Sequence, residues 1–140
     1  MGNKKTKSTK GFSLMELIIV MALLAIIAAI LIPMFLNTTE RARLRSDIQS
    51  ARVIQNAINL YRMETGRAIA GSPNAGPMIA TLADAGYLDS NDITPQTEGA
   101  GWIYDTNRGI LVNISASPPS VRDLVDNLSD AEQRMVHTGS

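Results

Sequence analysis

The chain has 140 residues, thirteen basic and thirteen acidic side chains, and a formal net charge of zero. It lacks cysteine, which excludes disulfides and thiol chemistry. Neither a zinc cluster nor a G-x-x-x-x-G-K phosphate loop is present, there is no internal repeat, and no run of like charges marks a disordered tail.

The first ten residues carry all four lysines, Lys4, Lys5, Lys7 and Lys10. An apolar run from Leu17 to Leu36 follows, about 30 Å long as a helix and matched to a bilayer core. The lysines place the N-terminus in the cytoplasm by the positive-inside rule. A secretory signal peptide has a shorter apolar stretch and a small-residue cleavage site; here Asn37-Thr-Thr-Glu-Arg41 follows instead. A plain signal anchor explains the lysines and the length, but not the acid at Glu16, where the apolar run begins. A carboxylate in hydrocarbon is costly and calls for a partner.

The helical pattern continues past the membrane-length run. Leu44, Ile48, Ala51, Ile54, Ile58 and Tyr61 recur in steps of three or four, one face of an amphipathic helix. Arg41, Arg43, Arg45, Asp47, Arg52, Arg62 and Glu64 occupy much of the remainder, and Gly66 supplies a stop. The pattern predicts one helix from about Ser13 to Thr65. Pro33 interrupts it, so a kink or local melt is expected. It reads equally as a simple kink at the membrane exit and as a hinge for leaving the bilayer.

Beyond Gly66 the chain turns to loops and short elements. Arg67 to Pro77 is rich in glycine, proline and small residues. Pro77 to Ala85 suits a short helix closed by Gly86, and Asp89 to Gly101 reads as a connector that could supply a third strand. Trp102–Asp105 and Ile110–Ile114 read as a hairpin around Thr106-Asn-Arg-Gly109. Such a hairpin needs support and should lie on the amphipathic helix. Pro118-Pro119-Ser120 opens a last helical stretch with Val121, Leu124, Val125 and Leu128 on one face, and Ser129 with Glu132 suits a capping box. Trp102 and Tyr104 read as domain core in preference to a base-stacking surface. The single His137 reads as a solvated tail residue with no nucleophile motif beside it.

Gly11-Phe12-Ser13-Leu14-Met15-Glu16, joined to the basic leader, the apolar run and Pro33, resembles the type III signal of type IV pilins and type II secretion pseudopilins. The segment from Ala51 to Gly66, with the loop after it and Ala80 to Leu88, is similar to the major pseudopilins. The resemblance implies an α+β, pilin-like fold. In it, a long kinked N-terminal helix, with a membrane half and an amphipathic half, carries a small antiparallel sheet on its outer half. It divides the chain into a cleaved basic leader (1–11), a transmembrane and filament-core helix (12–36), an amphipathic outer half (37–66) and a small globular head (67–140). From about Ala42 onward the soluble part is expected to fold without the membrane segment.

The same resemblance implies that a prepilin peptidase cuts after Gly11 on the cytoplasmic side and methylates the new amine of Phe12. Glycine leaves the backbone open to an enzyme there. Removal of the leader leaves nine arginines against thirteen acids, a side-chain charge of −4. Glu16 then pairs within its own subunit with the Phe12 amine, stays protonated, or, as the resemblance implies, pairs with the Phe12 amine of a neighbour and sets register. Gly11 and Phe12 are thus expected to serve processing, and Glu16 and Pro33 assembly. The implied partners are a homo-oligomeric filament, the peptidase, an inner-membrane assembly platform, minor pilins or pseudopilins and, before assembly, membrane lipid. The implied location is the bacterial inner membrane, single-pass with the N-terminus in the cytoplasm, followed by an extracytoplasmic filament or the cell surface.

No enzyme activity, catalytic residue or cofactor is expected. No metal site is expected either: Asp123, Asp126, Asp130 and Glu132 fall in predicted helix, whereas calcium needs six to eight oxygens from a compact loop, the arrangement common in pseudopilins. The disulfide-bounded C-terminal loop of many pilins is also absent. The rival readings are a DNA-binding minor pilin of a competence system and a membrane-tethered ligand-binding domain. Arg41, Arg43, Arg45 and Arg52 form the one basic cluster for DNA, and filament packing would partly bury it.

Overall fold

The computed structural model describes residues 11–69, 73–90 and 93–139, apart from the side chains at 33 and 34. The leader lysines, positions 70–72 of the expected loop and 91–92 of the expected connector lie outside the described residues. The chain divides into two compact units, one ending at Leu36 and the other starting at Asn37.

Helix α1 runs from Leu14 to Thr65, as the apolar run and the periodic face predict, and no melted turn occurs at Pro33. It ends where Gly66 adopts a left-handed φ of 66°. In the second unit, Leu44, Ile48, Ala51, Ile54 and Ile58 of α1 are buried, and Tyr61 is half-buried against them. The expected core face therefore forms. Around it close Met78, Ile79 and Leu82 of α2 (Gly76–Asp84), together with Val121, Leu128 and Val136 from the later segments. The positive φ of Gly86 follows α2, and Tyr87 N–H returns to the Leu82 carbonyl at 2.8 Å.

Strands β1 (Gly101–Asp105) and β2 (Gly109–Asn113) pair antiparallel. Their three-residue loop is set by two local devices. Asp105 Oδ1 accepts the N–H groups of Asn107 and Arg108, both at 2.8 Å. Gly109 takes φ 85°, which a residue with a Cβ resists. The register sets Trp102 opposite Val112 and Tyr104 opposite Ile110, and these four side chains belong to the core face. Trp102 Nε1 donates to the Ile93 carbonyl at 2.6 Å, so its polar edge is satisfied inside the domain, as the core reading expects. The N–H of Ile110 donates to Gln55 Oε1 of α1 at 3.0 Å, tying sheet to helix.

The third strand differs from expectation. It does not come from the described part of the 89–100 connector. It is β3 (Val136–His137), parallel to β2, so the sheet is mixed rather than antiparallel. His137 is accordingly a half-buried strand residue whose carbonyl accepts Ile114 N–H at 2.9 Å, not a solvated tail residue. The connector has a different role. Its Gln96 and Thr97 N–H groups donate to Asp47 Oδ1 and Oδ2 at 2.7 and 2.9 Å. Asp47 is 1% exposed, which corrects its placement on the polar face of the helix. It holds a loop outside the strand ladders, whose buried Thr97 N–H must find an acceptor.

The last helical stretch forms as short pieces, α3 (Pro119–Arg122), a 3₁₀ turn (Val125–Asn127) and α4 (Asp130–Gln133). The expected capping box at Ser129 and Glu132 is present. Glu132 accepts the Ser129 N–H and hydroxyl at 2.9 and 2.8 Å and meets Arg45 of α1 at 3.4 Å. The Ser129 N–H, then its hydroxyl, and then Arg45 and Arg52 hold the Glu132 carboxyl below the usual carboxylate range. At the other end of the head, Tyr87 donates to Glu64 Oε2 at 2.6 Å, and this bond to a carboxylate raises the phenol above its ordinary value.

A segment beginning at Asn37 is expected to unfold in urea as one cooperative transition. Asp47→Ala should cost it about 1–3 kcal/mol, because the buried Thr97 N–H and the partly buried Gln96 N–H lose their acceptor. Asp47→Asn, which keeps one acceptor oxygen, should fall between; coincident midpoints for all three proteins would rule out a loop-holding role.

Two of the perturbed groups, Glu132 and Tyr87, predict opposite limbs of a stability–pH curve. Glu132 has a depressed folded pKa, so its contribution is present above the unfolded value of about 4.3 and is lost as pH falls through the folded one. Tyr87 has a raised folded pKa, so its contribution is present below about 10 and is lost as pH rises through the folded value. Thermal melts at stepped pH should show a shallower acid limb for Glu132→Gln and a shallower alkaline limb for Tyr87→Phe.

Candidate functional site

Four of the residues that matter to the sequence reading lie within one turn of the start of α1. Gly11, Phe12 and Ser13 precede the helix in non-helical backbone, and Glu16 sits in its first turn. Phe12 is 87% exposed, and a Cβ placed on Gly11 would meet nothing within 4 Å. The Gly11–Phe12 bond is therefore unobstructed by the described part of the chain.

Ser13 is the N-cap of α1. Its carbonyl accepts Leu17 N–H at 3.2 Å, opening the helical ladder, and its hydroxyl accepts Met15 N–H at 3.3 Å. Glu16 completes the motif by accepting the Ser13 backbone N–H on Oε2 at 3.0 Å. Ser13 and Glu16 thus cap the helix reciprocally, the hydroxyl taking the Met15 N–H and the carboxylate the Ser13 N–H, and the acid also lies where the helix dipole favours negative charge. The serine–glutamate spacing is plain in the sequence, yet the reading there gives Glu16 only an amine as partner. The structure adds a backbone partner within the same subunit.

The described large apolar side chains from Leu14 to Leu36 are exposed. Among those described, the large ones range from 49% exposed at Val20 to 77% at Leu14. Among the described residues, α1 is the one helix long and apolar enough to cross a membrane. Pro33 lies inside α1, far along the helix from Glu16, and the two are not brought together.

The basic cluster after the apolar run is largely engaged. Arg43 pairs with Glu40 at 2.7 Å, Arg45 meets Glu132, and Arg41 Nη2 donates to the Asn127 carbonyl at 3.2 Å. Arginines spent on the chain's own acids and carbonyls make a poor phosphate-binding stripe. Among the described residues no group of three or more histidines, cysteines or acids is placed to hold a metal ion, and Glu132 is taken up by Ser129 and Arg45.

Comparison with known proteins bears on the same N-terminal segment. The family model for the prokaryotic N-terminal methylation motif matches residues 6–32. The chain is similar to the type II secretion system core protein G of Aeromonas hydrophila, with 25% identity over 56% of this chain and 61% of that protein. It is similar to the core protein G of Escherichia coli, with 18% identity over 91% of this chain and 94% of that protein. A fimbrial protein of Neisseria meningitidis serogroup A is 31% identical over 60% of this chain and 49% of that protein. The chain thus spans about three fifths of the Aeromonas relative and half of the fimbrial one. No solved structure matches it. The methylation motif, the exposed apolar helix that it introduces and the small sheet packed after that helix agree with one another, and they support a likeness to the type IV pilins and type II secretion pseudopilins.

Proposed function

We propose that the chain is a structural subunit of a helical filament, a type II secretion pseudopilus or a type IV pilus. In this reading it is made as an inner-membrane precursor with the N-terminus in the cytoplasm, cut after Gly11 by a prepilin peptidase and methylated on Phe12. An assembly platform and minor subunits then bring it into the filament. The observation that carries the reading is an accessible Gly11–Phe12 bond directly before a capped helix whose apolar surface the chain leaves uncovered. Lipid covers that surface before assembly, and neighbouring helices cover it afterwards. The match along nearly the whole chain is to a secretion core protein, whereas the fimbrial match covers about half of its partner, which favours the pseudopilus.

Glu16 sets register in this mechanism. One carboxylate oxygen accepts the Ser13 N–H, and the other remains for the Phe12 amine of a neighbour. A buried ion pair adds little net stability after desolvation, but it penalises every arrangement that leaves one charge alone. Pro33, which lacks an N–H, gives α1 one weak point for bending as the subunit leaves the bilayer. A DNA-binding minor pilin is disfavoured by the engaged arginines.

Mass spectrometry of the N-terminal peptide from native membranes is expected to show a chain starting at methylated Phe12. An intact Lys4–Lys10 leader on assembled protein would overturn the processing scheme. Glu16→Gln is expected to spare insertion and cleavage but to lower the ratio of sheared filament to membrane-held mature subunit, by about tenfold for the loss of one buried charge pair. Glu16→Asp keeps the charge on a shorter arm and should be intermediate. Equal filament yield for Glu16→Gln and the parent, at equal expression, would mean that apolar packing alone sets register.

A further inference from the structure

The sheet has the order β1-β2-β3 and therefore two outer edges. An edge strand is a template for pairing with another chain. The edge at β1 is covered from within. Asn74 bridges Ile103, Ala75 N–H donates to the Trp102 carbonyl at 3.4 Å, and Tyr104 N–H donates to the Pro73 carbonyl at 3.3 Å. Among the described residues no strand lies beyond β3. Arg108, from the loop between β1 and β2, reaches that edge instead. Its Nη2 donates to the carbonyls of Arg134 and Val136, the latter at 3.2 Å. We infer that Arg108 is an edge guard, which stops the sheet of one copy of this chain from pairing with the sheet of a second copy.

Three observations carry the inference. The first is direction. The carbonyls of Met135 and His137 face β2, where they accept Val112 and Ile114 N–H, both at 2.9 Å. Backbone groups alternate sides along a strand, so the Val136 carbonyl between them faces outward, and it is the one that Arg108 takes. The second is chemical form. An added strand needs an acceptor for its own N–H groups. A guanidinium has donors only and stays charged, so at this edge an incoming N–H meets a donor. The third is symmetry. Two identical edges that pair about a twofold axis present the same groups to each other, and each would bring its own Arg108. Like charges set opposite each other across strands are destabilising.

The inference rests on the proposed membrane anchorage. Anchored chains share one orientation and meet in two dimensions, which raises the effective concentration of each edge for its neighbours. An open edge would join heads through strands, whereas the filament needs them joined through α1. The guard leaves the uncovered helix as the surface on which copies meet.

The test uses the full-length chain purified in detergent, sized by sedimentation over a range of concentrations. Hydrogen exchange of the Val112 and Ile114 amides, which donate into β3, reports whether that strand stays in place. Arg108→Ala is expected to self-associate about tenfold more tightly than the parent, the worth of one charge-assisted contact, with both amides protected as in the parent. Arg108→Lys, which keeps the charge and a donor, should match the parent. The Thr138 N–H, trans to the inward His137 carbonyl, faces outward. Adding Thr138→Pro to Arg108→Ala removes that donor and should restore the parent's size. Equal association of Arg108→Ala and the parent would overturn the guard. So would association that Thr138→Pro leaves intact, or lost protection at Val112 and Ile114, because Arg108 would then only clamp β3. A parent chain found outside the membrane fraction would instead refute the anchorage, so the two failures are distinguishable.

Discussion

Every element after Thr65 is too short to stand alone, and each depends on the buried face of α1. The two five-residue strands would be marginal as an isolated hairpin, β3 contributes two residues, and α3 and α4 are single turns of four. Leu44, Ile48, Ala51, Ile54 and Ile58 give all of them one apolar surface. Burial of side chains of this size is worth about 1.5–3 kcal/mol each. The polar links from the helix, Asp47 to Thr97 and Gln55 to Ile110, fix where the loops and strands rest on it. Without cysteine, no covalent staple supplements that surface.

The same helix follows opposite rules in its two halves. From Asn37 onward it has one covered face, and the chain supplies the cover. Up to Leu36 it is apolar all round, and among the described residues none covers it. Between these regimes sit the arginines, each held by a neighbouring group, and at the far end sits the Ser13–Glu16 cap. The cap gives Glu16 a role in the isolated subunit as well as any role between subunits. A carboxylate that already accepts a backbone N–H is less costly in an apolar setting than a bare one. Holding the acid at the helix end also keeps it within one turn of the Gly11–Phe12 bond.

Much of this was legible in the sequence, for physical reasons. The core face of α1 follows from its 3.6-residue period. The hairpin follows from apolar runs flanking a loop with glycine at the position that needs positive φ. The Ser129–Glu132 box follows from its spacing. The methylation motif is itself plain in the sequence, and a family model matches it over residues 6–32. What escaped was decided by distant partners. Val136 and His137 form a strand of two residues, too short to show any period, and only β2 makes them one. Asp47 reads as a surface acid by type, although its spacing from Leu44 and Ala51 sets it on the buried side. Its worth depends on a connector some fifty positions away. Ser13-x-x-Glu16 has the same spacing as Ser129-x-x-Glu132, but an acid inside a membrane-length apolar run points first to a cationic partner.

The ties to α1 also govern the order of events in time. Asp47 waits for partners 49 and 50 positions downstream, Gln55 for one 55 positions away, and Arg41 for one 86 positions away. Contacts of such separation carry their loop-closure entropy before they return any stabilisation, and they slow folding. The apolar first half of α1 needs only lipid and is ready to insert as soon as it is made. The stripe from Leu44 to Ile58 stays uncovered until the late segments arrive, so the nascent head is exposed to aggregation for longest just where it leaves the membrane.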